Sequence, residues 1–257
     1  FLYTEHPFKY IPDTDKLPYN YKDENNLLKD LRIKAFKKND VNCLDLRDAI
    51  RDNVEYYKTD HHWTVGTSFY AAEKIITKLQ KKNIIFGNVD KIKTIKNYHK
   101  LFYGNSLLGS GGIRVGEYYV GKDDFAIPVP NFHTNLSYKH YDNKHSLVLS
   151  KSGKFEEALI DRDVLEDKNY YNKYNACLFG GWCENRITNN ESPNDLKLLL
   201  VSDSYSRSMA MYMSLYFNET RFLDPQDGRY NDSYKEYVDV YKPDIIVVMY
   251  DYNIPGF

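Results

Sequence analysis

The sequence has no run of about eighteen apolar residues, so no segment reads as a bilayer-spanning helix. It has little cysteine. The three residues Cys43, Cys177 and Cys183 are an odd number and cannot form a complete disulfide framework, so they leave the redox compartment open. Cys177 and Cys183 stand close in ACLFGGWC, where the intervening glycines allow a small disulfide loop; buried free thiols are the other reading. No charge of one sign dominates. Lys and Arg total 35 against 36 Asp and Glu, with a pI of about 6.7, so nothing in the balance points to nucleic acid or an acidic membrane surface. Internal repeats, low-complexity tracts and a signal peptide are also missing. Residue 1 is Phe rather than Met, so the sequence reads as one trimmed at its start, and its natural N-terminus stays open.

What is present suits one large domain: 257 residues, 42% hydrophobic, enough to bury a substantial core. Tyrosine is abundant at 25 residues, which fits either codon bias in an AT-rich genome or aromatic surfaces for carbohydrate rings. Residues 1–25 read as an extended lead-in with turns at Pro12 and Pro18. ENNLLKDLRIKAFKKN places Leu27, Leu28, Leu31 and Phe36 near helical spacing, and VNCLDLRDAIRDN suggests a short strand running into a helical turn. Thr64 is a plausible N-cap for VGTSFYAAEKIITKLQKKN, whose apolar stripe is Phe69, Ala72, Ile75, Ile76 and Leu79. From roughly 87 to 175 the chain changes character. Runs such as DFAIPVPNF and HSLVLSKSG, punctuated by Gly and Pro, predict hairpins and loops rather than helices, and are taken as a mainly β insertion.

The last third returns to α/β grammar. KLLLV and DIIVVMY are continuous apolar strands, as in a parallel sheet covered on both faces, and a helix is expected after each of KLLLVS and TRFLDPQDGRY. Ser204, in VSDSYSRS, follows the first of these strands and precedes a helix. That is where open α/β sheets place ligand sites and where a helix N-terminus favours negative charge. No glycines flank it, so this is not the G-x-S-x-G elbow; a helix N-cap is its plain alternative.

A serine nucleophile needs a base, and the base an orienting acid. YYKTDHHWTVG supplies them: in an extended segment Asp60 and His62 point the same way, so Asp60 can hold the imidazole with Nε2 free for Ser204. Trp63 is expected to pack beside that ring and limit water. A metal site is the weaker reading, because adjacent His61 and His62 diverge, no i, i+4 histidine pair exists and no Cys/His cluster stands nearby. His61 reads as loop support.

Together, TDHHWT, the Gly180-Gly181 segment, LLLVSDSYS and a following Asp/Arg/Tyr turn resemble the DHHW family, allied to the SGNH-hydrolase-like proteins of bacterial exopolysaccharide O-acetylation, among them the alginate acetylation proteins. The resemblance runs from about residue 10 to the end, and is most specific at Asp60-x-His62-Trp63 and Asp203-Ser204-Tyr205-Ser206. It implies a three-layer α/β/α, flavodoxin-like fold with a mostly parallel sheet, the Asp-His pair preceding the Ser in a permuted order, and Asp60, His62 and Ser204 as acid, base and nucleophile. Oxyanion or substrate positions match at Arg229, at Tyr250 (with Asn253 a rival), and at Trp182, where many relatives have Asn after the two glycines. Their structural alternatives are a salt bridge for Arg229, a core strand position for Tyr250 and packing for Trp182.

The resemblance further implies acetyl transfer to an extracellular polysaccharide without a cofactor or metal. It implies a membrane-bound O-acyltransferase partner that delivers the acetyl group, an N-terminal membrane anchor, and a place on the outer face of the cell membrane. A carbohydrate acetylesterase with the same triad, and a non-catalytic glycan-binding or assembly protein, are the rival functions.

Overall fold

The computed structural model describes residues 1–7, 24–84 and 86–250. In chain order these form β1 (Leu2–Glu5), α1 (Glu24–Lys38), β2 (Cys43–Asp45), α2 (Leu46–Ala49), α3 (Val65–Gln80) and α4 (Asp90–Lys93). There follow β3 (Tyr98–Leu107), α5 (Ser110–Val115), α6 (Glu117–Val120), β4 (Asp123–Pro130), β5 (Leu136–Tyr141), β6 (Leu147–Gly153), α7 (Phe155–Leu159) and α8 (Arg162–Glu166). The last elements are β7 (Glu184–Asn189), β8 (Lys197–Ser202), α9 (Ser206–Met213), β9 (Glu219–Leu223), α10 (Tyr234–Tyr241) and β10 (Ile245–Met249). The turns expected at Pro12 and Pro18 lie outside the described residues, as does Asn253.

One eight-stranded sheet runs β2-β1-β10-β8-β9-β7-β5-β6. Its pairings are parallel from β2 through β9 and antiparallel from β9 to β6. The period of two along β8 divides the layers. Leu198 and Leu200 join the core beneath α3 and α9, whereas Leu199 and Val201 face the other way, with Tyr237, Val238 and Tyr241 of α10. On that second face Tyr3 of β1 packs with Ile33 and Phe36 of α1. The result is a three-layer α/β/α domain with a mostly parallel sheet.

Helix α3 forms as its pattern predicts. Thr64 caps it by accepting the Thr67 N–H at 3.2 Å, and the whole Phe69-to-Leu79 stripe is buried. Three expectations change. The lead-in holds a buried strand, since Leu2–Glu5 pairs with both β2 and β10. In α1 the inward residues are Lys29, Ile33 and Phe36, while Leu27 and Leu31 are exposed. Lys29 turns in because its ammonium meets the buried Glu5 carboxylate at 3.5 Å and donates to the His6 carbonyl at 2.5 Å. The 87–175 span, expected without helices, contains α4 to α8. Within it β3 and β4 form a separate two-stranded ribbon, and β5 and β6 extend the main sheet. Cys177 and Cys183 are separate buried thiols rather than a disulfide. No helix among the described residues is long and apolar enough to cross a membrane.

Candidate active site

The turn after β8 is built by its own sequence. The Asp203 carboxylate accepts the Tyr205 N–H at 3.0 Å, and the Asp203 and Ser204 carbonyls accept the N–H groups of Ser206 and Arg207 as α9 begins. This projects Ser204 from the C-terminal end of a parallel strand at the start of a helix. Among the described residues, no acceptor takes the Ser204 N–H.

The second half arrives from the segment before α3. His62 Nε2 lies 2.8 Å from Ser204 Oγ, and His62 Nδ1 lies 2.5 Å from Asp60 Oδ1. Asp60 is fixed on both oxygens: Oδ1 also accepts the His62 N–H at 3.0 Å, and Oδ2 accepts the Ser110 N–H at 2.9 Å. Residue 109 has to be glycine, because a Cβ there would fall within 2.6 Å of three Asp60 side-chain atoms.

Trp63 does not sit beside the His62 imidazole. Its fully buried indole donates to the Tyr205 carbonyl at 3.1 Å, while Tyr205 OH donates to the His61 carbonyl at 2.6 Å. These crossed bonds tie the two halves of the site together. The ring on His62 is Tyr174, stacked at 4.1 Å and 17°, with its hydroxyl 3.1 Å from the Ser204 carbonyl and 2.9 Å from Ser208 Oγ. His61 is exposed at the rim, its Nδ1 3.3 Å from Ser110 Oγ.

Asp60, His61 and His62 have ligand atoms within 4.8 Å of one another, the only such metal-capable group among the described residues. Yet Asp60 Oδ1 and His62 Nδ1 already share a hydrogen bond, and His62 Nε2 faces the serine. A cation would have to break the first contact to gain two ligands, so the arrangement serves proton transfer better than coordination.

Burial would raise the Asp60 carboxyl, but hydrogen bonds from the His62 ring and from the His62 and Ser110 N–H groups hold it well below the usual carboxylate range. Burial pushes His62 down to about 4, against the opposing pull of Asp60. The base is therefore neutral, and able to accept a proton, across the neutral range. The sign of a pH profile follows for any reaction that uses His62 as its base: activity would be present above the His62 pKa and lost as pH falls through it. Hydrolysis of p-nitrophenyl acetate should stay level down to about pH 5.5 and then decline. An acid limb centred at the ordinary histidine value would contradict a buried, neutral base.

Arg207 and Tyr174 were not singled out from the sequence. The buried Arg207 donates from one Nη to Asn175 Oδ1 at 2.9 Å, and its Nε has no partner among the described residues. Its charge helps to keep His62 deprotonated. A readable signal existed: a cation in the first turn of a helix opposes the helix dipole, so its presence three residues after Ser204 calls for a reason. Tyr174 carries no such signal among 25 tyrosines.

Of the remaining expected residues, Tyr250 directly follows β10 and Arg229 lies in the turn after β9, the two strands that flank β8. Arg229 pairs with the buried Asp224 at 3.0 Å and stands 5.7 Å from the ring of Trp182, which is 45% exposed. Tyr250 continues the outward side of β10 and lines a cleft of about 830 Å³ between α1 and α10, in the layer opposite α3 and α9. Residue 181 must be glycine, since a Cβ would meet Asn185 Oδ1 and Tyr138 OH at 2.4 Å.

The fold and the site define an α/β protein with a Ser-His-Asp constellation at the C-terminal ends of parallel strands. No family model and no curated protein sequence matches the chain. Solved structures do. Bacillus cereus PatB1 with a sulfonyl adduct superposes with a TM-score of 0.73 at 19% identity, over 100% of this chain and 83% of its own. A DHHW family protein from Eubacterium siraeum DSM 15702 gives 0.66 at 18%, over 100% and 79%. The O-acetyltransferase domain of Pseudomonas putida AlgJ gives 0.50 at 12%, over 97% and 74%. At these identities the likeness is one of fold.

Proposed function

We propose that this protein is a serine O-acetyltransferase acting on a cell-surface polysaccharide. The observation that carries the reading is the 2.8 Å contact between Ser204 Oγ and His62 Nε2, formed between residues 142 apart in the chain. The fold shared with the AlgJ O-acetyltransferase domain supports the choice of acyl group and reaction class.

In this reading Ser204 Oγ attacks the carbonyl carbon of an acetyl donor while its proton passes to His62 Nε2. The tetrahedral oxyanion is held by the Ser204 N–H, the α9 N-terminus and the Arg207 guanidinium. Arg207 joins the oxyanion positions expected at Arg229 and Tyr250; Tyr250 directly follows Met249, which pairs with Ser202. Collapse expels the donor's leaving group, which takes the proton from His62. A sugar hydroxyl, deprotonated by the same nitrogen, then attacks the acetyl-serine and releases Ser204. Trp182, steadied by Arg229, offers the exposed ring face on which an acceptor sugar would stack. Delivery of acetyl groups by a membrane-bound O-acyltransferase partner, and a location outside the cell membrane, belong to the same proposal and rest on the motif resemblance.

The test is partition of the acyl-enzyme. With p-nitrophenyl acetate as donor, oligosaccharide acceptors should become acetylated in competition with acetate release. Acetate release that no oligosaccharide diverts would make the protein an esterase, and the absence of any turnover would sink the catalytic reading. Arg207→Gln should lower kcat by roughly 10²–10³ with little change in KM, as for loss of one oxyanion donor. Steady-state kinetics showing an unchanged kcat would remove Arg207 from the mechanism.

A further inference from the structure

Tyr174 is 1% exposed and stands in a 3-10 turn, Lys173–Ala176, between α8 and β7. The turn is held from both sides. Lys173, itself buried, donates through Nζ to the Val164 carbonyl at 2.8 Å and to the Asp167 carbonyl at 2.5 Å, which ties the turn to α8. A buried ammonium is tolerated only where such bonds satisfy it. On the other side, the Ala176 carbonyl accepts the Asp161 N–H at 2.9 Å, and Asn175 Oδ1 accepts from Arg207 of α9 at 2.9 Å.

From this turn one side chain reaches both halves of the site. The Tyr174 ring lies on the His62 imidazole at 4.1 Å and 17°, while its hydroxyl donates toward the Ser204 carbonyl at 3.1 Å and the Tyr205 carbonyl at 3.3 Å. With its proton there, the hydroxyl accepts from Ser208 Oγ at 2.9 Å, and Ser208 Oγ accepts from Ser68 Oγ at 2.5 Å. The hydroxyl is thus fixed by α9 and, through α9, by α3. Asp60 alone does not fix the imidazole. Its bond to Nδ1 restrains one edge of the ring, whereas a flat ring against the face restrains the tilt that would carry Nε2 away from Ser204 Oγ. The His61 ring, 3.9 Å from that of His62, is exposed and rides on the same loop, so it gives no independent anchor.

We propose that Tyr174 is a positioning residue of this site: its ring sets the plane of the His62 imidazole and its hydroxyl sets the Ser204 turn, so one rigid group spaces base and nucleophile. Its use in acyl transfer rests on the acyl-transfer reading; its hold on His62 does not. Tyr174 exchanges no proton itself, because burial pushes its hydroxyl well above the ordinary tyrosine range.

Two substitutions separate the ring from the hydroxyl. Tyr174→Phe keeps the stack and loses the bonds to the two carbonyls. Its kcat for p-nitrophenyl acetate should fall about tenfold, roughly the worth of one hydrogen bond, with KM and the acid limb of the pH profile unchanged. Tyr174→Leu loses the stack. Its kcat should fall about a hundredfold, as for a misplaced group, with little change in KM. Its acid limb should also move up from about 4 toward the ordinary histidine range, because water then reaches an imidazole that burial had kept neutral. The other groups facing His62 are the same in both variants: Asp60 and His61 of its own loop, Arg207 of α9, Tyr205 before α9 and His6 after β1.

NMR titration of the His62 ring, with all proteins carrying Ser204→Ala, follows the same change without turnover. His62 should titrate at higher pH with Tyr174→Leu and unchanged with Tyr174→Phe. A Tyr174→Phe enzyme with full kcat overturns the proposal, as does a Tyr174→Leu protein whose His62 titrates as in the wild type, or an equal shift in both variants. Should Tyr174→Leu not fold, Tyr174→Met takes its place in both measurements, and the nearly isosteric Tyr174→Phe still decides through kcat. A wild type that turns over no ester would remove the acyl-transfer reading and leave the NMR comparison standing.

Discussion

Ser204→Ala is expected to lower kcat for acetyl transfer by on the order of 10⁶, the cost of losing the nucleophile from a serine triad. The fold should be unmoved. Ser204 is only partly buried, its Oγ makes one contact, to His62, and the Asp203 and backbone bonds that shape the turn do not use the hydroxyl. Thermal unfolding of the variant should therefore match the wild type while product formation disappears. Mass spectrometry of wild type quenched during turnover should find one acetyl group on the peptide holding Ser204, and none in the variant. Full activity in Ser204→Ala would show that the Oγ–Nε2 contact is only an N-terminal decoration of α9. His62→Ala added to Ser204→Ala should cost little more, because residues acting as one unit are not additive.

Asp60→Asn should cost roughly 10⁴ in kcat with the backbone in place. The reason is the tautomer. Asp60 Oδ1 accepts from Nδ1 at 2.5 Å, which leaves the Nε2 lone pair toward Ser204. An amide can present its NH₂ to Nδ1, and the ring then carries its proton on Nε2, where it cannot take the serine proton. The same change removes a carboxylate that stabilises the imidazolium formed during attack. Loss of the Ser110 and His62 N–H contacts to a charged acceptor should make the variant modestly less stable. The kinetic readout is steady-state hydrolysis across pH. Because attack on a serine needs the Nε2 lone pair, raising pH should restore no more than a small part of the lost rate. Retention of most of the activity would mean that Asp60 holds the loop and does no more.

Much of this was readable locally. Asp60 and His62 at a spacing of two, the Thr64 cap and the apolar stripe of α3 are short-range patterns, and short-range patterns follow from backbone periodicity. KLLLV and DIIVVMY read as strands covered on both faces for the same reason, and a serine after the first of them has few geometric options.

The unread part is long-range. Four residues at Leu2–Glu5 carry too little pattern to announce an inner strand; pairing with β2 and β10 makes them one. Lys29 would be placed outside by its charge, and is inside because Glu5 waits there. Tyr174 and Arg207 gain their meaning from what the fold brings beside them: an imidazole 112 positions away in the first case, and Asn175 with that same imidazole in the second. The sequence by itself determined which atoms can do the chemistry: a hydroxyl at a strand end, an imidazole and its acid. Only the tertiary structure decided that Ser204 Oγ and His62 Nε2 meet at 2.8 Å, because bringing them together depends on crossovers and on the burial of surfaces far from either residue.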